Sequence, residues 1–144
     1  MIILDTNVIS ELMKKVPDVG VVAWFAGLEP QPLMITAITV AELRYGVSVL
    51  PEGKRRTQLD SAITAMIDEE FDACVLDFGR QAAEAYGILA ARFRKEGIGV
   101  GQSDMMIAAI ALVNEETIAT RNERDFEHCG VEIVNPFAFL LVDE

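Results

Sequence analysis

Ile2-Ile3-Leu4 is a short apolar run that stops at Asp5-Thr6-Asn7, the pattern of a buried strand opening onto a loop or helix start. Leu33-Met34-Ile35-Thr36 repeats that pattern after Pro30 and Pro32, and Cys74-Val75-Leu76 predicts a third strand. Thr117-Ile118-Ala119-Thr120 and Glu132-Ile133-Val134 predict the last two. Between these runs the apolar period lengthens to that of helices. Val8 to Lys14 predicts a short helix, and Pro17, suited to a first helical turn, opens another that runs to about Leu28. A third is predicted from Thr39 to Leu50, where Pro51-Glu52-Gly53 stops it. Leu59, Ile63, Met66 and Ile67 share one face of a helix starting at Lys54, and Ala82, Tyr86, Leu89 and Phe93 do the same in one ending near Glu96. Gly97-Ile98-Gly99-Val100-Gly101 reads as a flexible connection. Ser103 then caps a helix from Asp104 to about Asn114, which is apolar on nearly every side and should be buried.

Short apolar strands that alternate with helices, without tight hairpin signals, predict an α/β fold: a parallel β-sheet flanked by helices on both faces. The 144 residues fit the ~100–200 of one ordinary domain, so residues 1–144 are expected to form a single domain. No internal repeat or low-complexity segment interrupts it.

Charge adds a constraint. Lys plus Arg number 12 against 23 Asp plus Glu, a net charge of −11, which taken alone opposes binding to a phosphate backbone. Two separated cysteines, Cys74 and Cys129, and the one histidine, His128, cannot assemble the usual zinc sites. Reduced thiols are the simplest reading, and His128 reads as a surface residue. The N-terminus has no basic segment ahead of its apolar run, and Met105 to Val113 falls short of the ~20 residues that cross a bilayer. A soluble, cytoplasmic protein is expected.

In an open parallel sheet, ligands bind beyond the carboxyl ends of the strands. Asp5 directly follows the first predicted strand, and Arg121-Asn122-Glu123-Arg124-Asp125 follows the fourth. Glu42 lies inside the helix after the second strand, and Asp104 opens the buried helix. Asp5, Glu42, Asp104 and Asp125 can therefore converge on one end of the sheet, where they would repel unless protonated or offset by a cation. Oxygen ligands without histidine suit Mg²⁺ or Mn²⁺. Plainer roles exist for each. Asp5 is a favoured helix cap. Thr39-Val40-Ala41-Glu42 fits a capping box, on spacing alone the better account of Glu42. Asp104 could complement a helix dipole, and Asp125 could be a solvated loop acid. A phosphate-binding P-loop, a G-x-G-x-x-G turn and a nucleophile elbow are all absent from the sequence.

Four segments in order resemble one family. Ile3-Leu4-Asp5-Thr6-Asn7-Val8-Ile9-Ser10-Glu11 is similar to the opening of PIN-domain nucleases. Ile38-Thr39-Val40-Ala41-Glu42-Leu43-Arg44-Tyr45-Gly46 resembles their second motif, and Ser103-Asp104-Met105-Met106-Ile107-Ala108-Ala109 the third. Ala119-Thr120-Arg121-Asn122-Glu123-Arg124-Asp125-Phe126 resembles the fourth, and Val131 to Phe137 is similar to the closing strand of VapC-type toxins, notably the FitB-like branch. The resemblance implies a Rossmann-like Mg²⁺-dependent endoribonuclease, with Mn²⁺ able to substitute. A VapB- or FitA-like antitoxin would restrain it, with an arginine able to enter among the acids. It also implies a homodimer, RNA as substrate and DNA contact only through the antitoxin.

Carried over by motif, Asp5 and Asp104 hold the metal, while Glu42 and Asp125 hold a second ion or orient the attacking water. The fourth acidic position is Asn122 or Asp125. Thr6, Asn7, Ser103 and Asn122 would orient the carboxylates, and Arg121 and Arg124 are candidates for RNA contact. Two rival readings are a Mg²⁺-dependent phosphatase on a similar sheet and a catalytically weak PIN-fold binding module. Metal-dependent turnover separates the latter from both enzymes.

Overall fold

The computed structural model describes residues 1–72 and 74–139; residues 73 and 140–144 of the expected single domain lie outside that range. The described strands are β1 (Ile2–Leu4), β2 (Leu33–Thr36), β3 (Val75–Leu76), β4 (Thr117–Ala119) and β5 (Ile133–Val134). They form one parallel sheet in the order β3-β2-β1-β4-β5. Ile3 of β1 pairs with Met34 on one side and Ile118 on the other, so β1 lies at the centre. The chain builds outward from β1 to β3, then returns to place β4 against the other side of β1. That reversal opens a crevice at the carboxyl ends of β1 and β4.

Alternation along β1 explains the two layers of helix. Ile2 and Leu4 enter one core with Val8, Ile9, Trp24, Ile35, Leu43 and Ile63. Ile3 points the other way, into a core with Leu89, Phe93, Met105, Ile107, Ile118 and Phe126. The first face is covered by α1 (Thr6–Leu12), α2 (Val19–Ala26), α3 (Ala37–Ser48) and α4 (Lys54–Ala65), which runs on into a π-helical turn at Met66–Glu70. The second carries α5 (Arg80–Glu96), α6 (Gln102–Asn114) and the short α7 (Glu123–Phe126). As its composition predicts, α6 is buried, with Ile107 through Ala111 fully enclosed.

Helix boundaries differ from the sequence reading wherever two groups compete to cap. α1 starts at Thr6 rather than Val8, because the Asp5 carboxylate accepts the Thr6 N–H. α2 starts after Asp18 rather than at Pro17, since Asp18 accepts the Val21 N–H. α6 starts at Gln102: the Met105 N–H already donates to Gly101 O, so Ser103 lies inside the helix and does not cap it. α7 falls where the sequence suggested only a polar loop. Gly97 does more than connect; at φ 69° it ends α5 in the left-handed conformation that favours glycine, and Ile98 N–H returns to Phe93 O.

Phe126 is fully buried and fastens α7, with Asp125, to the second core. Phe126→Ala is expected to cost about 3–5 kcal/mol in urea unfolding.

Candidate active site

Asp5 directly follows β1, and its N–H donates to Ala119 O of β4 at 2.9 Å. The residue is only 2 % exposed, and its carboxylate is fixed by three donors. Thr120 Oγ1 donates at 2.7 Å, the Thr6 N–H at 2.8 Å and Asn7 Nδ2 at 3.1 Å. The capping role and the site role therefore coexist, because a carboxylate has lone pairs for both. Burial pushes the Asp5 carboxyl above its ordinary value; the hydrogen bonds from Thr120 and Thr6 pull it back, and the charge of Glu42 raises it again.

Glu42 reaches the same place from α3. Thr36, not Thr39, caps that helix: its Oγ1 accepts the Thr39 N–H at 3.2 Å. The capping box therefore does not form, and the Glu42 carboxylate accepts the Thr6 hydroxyl at 2.8 Å. Thr6 and Thr39 hydroxyls lie 3.0 Å apart and share a hydrogen bond, with Thr39 fully buried. These hydroxyls tie the start of α1 to the first turns of α3.

Asp104, in the first turn of α6, is half-buried. Burial, a proton shared with Asp125, and the charges of Asp5, Asp125 and Glu42 push its carboxyl up to about 7. Asp5, Glu42 and Asp125 thus all lie within electrostatic reach of Asp104. A cleft of about 240 Å³ is lined by Asp5, Thr6, Asn7, Ser10, Glu42, Asp104 and Asn122. Asp125 is not among the lining residues and acts on the cleft through Asp104. Asn122 stands at the start of α7 without capping it, which leaves its amide to face the cleft.

The PIN domain family model matches residues 2–131. This chain belongs to the PIN-domain family. It is 41% identical over 137 residues to the VapC ribonuclease Y4jK of Sinorhizobium fredii, covering 95% of this chain and 98% of that one. Toxin FitB of Neisseria gonorrhoeae is 36% identical over 137 residues, covering 95% and 99%. The solved structure of FitAB bound to an IR36 DNA fragment superposes with a TM-score of 0.87 at 36% identity, covering 95% of this chain and 96% of that chain. The expected α/β fold and family are borne out.

Ribonucleases of this PIN-domain kind are metal-dependent. Among the described residues no three His, Cys, Asp or Glu side chains are drawn together into a ready-made cage. The PIN site instead offers spaced carboxylates, an amide oxygen and hydroxyls. That donor set fits a hard cation which keeps several waters and needs one or two carboxylates, and repulsion within the acid cluster supplies the reason to bind one.

The remaining predicted residues of the PIN domain divide. Asn7 binds Asp5 and accepts the Arg121 N–H at 3.0 Å. Arg121 and Arg124 are exposed on the segment that follows β4, which also carries the cleft-lining Asn122. Ser103 is exposed and is not brought to the cleft. The sequence reading missed Thr120, Ser10, Thr36 and Thr39. Ser10 was within reach of it, because it lies one turn after Thr6 on the same face of α1. The thiol at Cys129 is pushed up to about 11 by burial, so it supplies no nucleophile.

Proposed function

We propose that this chain is the toxin of a toxin–antitoxin pair, a metal-dependent endoribonuclease that hydrolyses RNA phosphodiester bonds with Mg²⁺, or Mn²⁺ in its place. The observation that carries the reading is the convergence of Asp5, Glu42 and Asp104 on one cleft at the switch point of the sheet, with Asp125 beside Asp104, where burial and the neighbouring acids raise the Asp104 pKa. Asp5 and Asp104 would hold the ion, with Glu42 and Asp125 holding a second one or orienting the attacking water. Bound Mg²⁺ supplies a Lewis acid that makes water a better nucleophile and offsets charge developing on the phosphate.

The chain's own groups do the positioning. Thr120 and Asn7 hold the Asp5 carboxylate in one orientation by donating to it, and the Thr6 hydroxyl holds that of Glu42. Arg121 and Arg124 place positive charge beside the cleft for the RNA backbone. The partner is a VapB- or FitA-like antitoxin, whose basic side chains complement the acidic cleft and through which any DNA is contacted. A homodimer is expected, with exposed Tyr45, Val49 and Ile88 supplying apolar surface, and the cytoplasm is the expected compartment. No helix among the described residues is long and apolar enough to cross a membrane. The phosphatase and binding-module readings are not favoured, since the close relatives carry ribonuclease and toxin names.

The test is cleavage of a mixed RNA pool by the purified, partner-free protein. Cleavage with Mg²⁺, none with EDTA, and products bearing 5′-phosphate and 3′-hydroxyl ends are expected. Turnover of small phosphate esters but not RNA would overturn the reading in favour of a phosphatase. Metal-independent cleavage would overturn the role given to the acids.

A further inference from the structure

An acidic cleft that must accept RNA needs a cation fixed at its rim, and the loop after β4 holds one by its backbone and by its side chain. The backbone N–H of Arg121 donates to Asn7 Oδ1 at 3.0 Å, and Asn7 Nδ2 in turn donates to Asp5 at 3.1 Å. At its other end, the guanidinium carbon of Arg121 lies 4.7 Å from the centre of the Phe137 ring.

Phe137 is itself held in place. Asn135 Oδ1 accepts the Phe137 N–H at 3.0 Å, and Pro136 sets the first residue of a 3₁₀ turn over Pro136–Ala138. Asn135 Nδ2 donates to Glu123 of α7 at 3.1 Å. Gly20 of α2 lies against the turn, where a Cβ would make ordinary contact with Pro136 O at 3.4 Å and Phe137 O at 3.5 Å.

A plainer role for Arg121 would be to neutralise Glu11. That carboxylate is already satisfied, with Lys14 Nζ at 2.9 Å on one oxygen and the Asp18 N–H at 2.9 Å on the other. Its pKa is lowered first by those two hydrogen bonds, and the charge of Arg121 contributes least. Among the described residues Arg121 forms no ion pair, and its side chain is exposed. Among the described residues the guanidinium N–H groups of Arg121 have no hydrogen-bond acceptor, so beside the ring contact they remain able to donate.

We infer that Arg121, set on Phe137, is a clamp for an RNA backbone phosphate flanking the one cleaved. The inference rests on the nuclease reading of the cleft. Arg121 supplies N–H donors and a full charge where the acids would repel the strand. Phe137 acts through Arg121 by restricting where that charge can go, so less freedom is lost on binding.

The test uses the full chain and a fluorescent single-stranded RNA oligonucleotide of random sequence, with Ca²⁺ in place of Mg²⁺ and anisotropy as the readout. Arg121→Gln is expected to weaken binding about tenfold, the scale of one charge-assisted contact, with an unchanged melting temperature. The slope of log affinity against log salt should shrink by about 0.7, the counterions of one single-strand phosphate. Phe137→Leu, which keeps the packing, is expected to weaken binding about threefold and to add nothing when combined with Arg121→Gln. Native affinity and salt slope in Arg121→Gln would overturn the clamp, as would a Phe137→Leu effect that persists undiminished in the Arg121→Gln background. RNA that binds native protein with the expected Arg121 dependence but is not cut with Mg²⁺ would support the clamp and remove the nuclease.

Discussion

Replacing Asp104 with asparagine is expected to lower RNA cleavage at least about a thousandfold, the scale of removing a charged group that acts on the transition state. The same change should leave the metal-free protein as stable as the native one, or more so. Asp104 stands among like charges from Asp5, Asp125 and Glu42, so an amide relieves repulsion while keeping the shape. Saturating Mg²⁺ should raise the melting temperature of native protein and raise that of Asp104→Asn far less, because a ligand stabilises only what it binds. Asp5→Asn is a less clean variant. Three donors converge on Asp5, and an amide would turn an NH₂ group toward one of them, costing about 1–3 kcal/mol of stability in addition to activity. Full cleavage by Asp104→Asn with unchanged metal dependence would remove Asp104 from the site.

Much of this was legible because strands of a parallel sheet, buried on both faces, are written as unbroken apolar runs. Ile2-Ile3-Leu4 and Leu33 to Thr36 needed nothing further, nor did the apolar circumference of α6. The positions of Asp5 and Asp104 were legible as well, since one follows a strand and the other stands in the first turn of a helix. The role of Glu42 was not settled by spacing. Two threonines three residues apart could each cap α3, and only the path of the chain leaving β2 decides that Thr36 does so. Once Thr36 has that role, Glu42 has no capping bond to make and turns to Thr6.

Thr120 was beyond local reading for another reason. It meets Asp5 across 115 positions of sequence, brought there by the pairing of Leu4 with Ala119, and no periodicity within either segment encodes that register. The Arg121–Phe137 stack is hidden in the same way. Both residues were visible in the sequence, but their contact depends on how a turn after β5 folds back past the end of β4.

Metal affinity is expected to rise about tenfold per pH unit from about pH 5 to about pH 7, then level off. The cause is the proton that metal-free Asp104 keeps: burial, sharing with Asp125 and the charges of Asp5, Asp125 and Glu42 push its carboxyl from 3.8 to about 7. A cation takes only the carboxylate, so below that value each binding event releases one proton. The same shift governs stability, with the sign reversed from that of an ordinary ion-paired acid. Between about pH 4 and pH 7 the folded metal-free chain holds a proton that the unfolded chain has lost. The contribution is therefore fully present below about pH 4 and lost as the pH rises through about 7. Urea unfolding in EDTA should show this site's contribution declining over that window, and Asp104→Asn should flatten the decline. Saturating Mg²⁺ should flatten it too, since the ion keeps Asp104 ionised in the folded state and leaves no excess proton to lose. Titration with Mn²⁺ at intervals from pH 5 to 8 measures the affinity directly. An affinity constant across that range would mean that Asp104 is already ionised before the ion arrives, so that neither burial nor the neighbouring acids hold a proton on it.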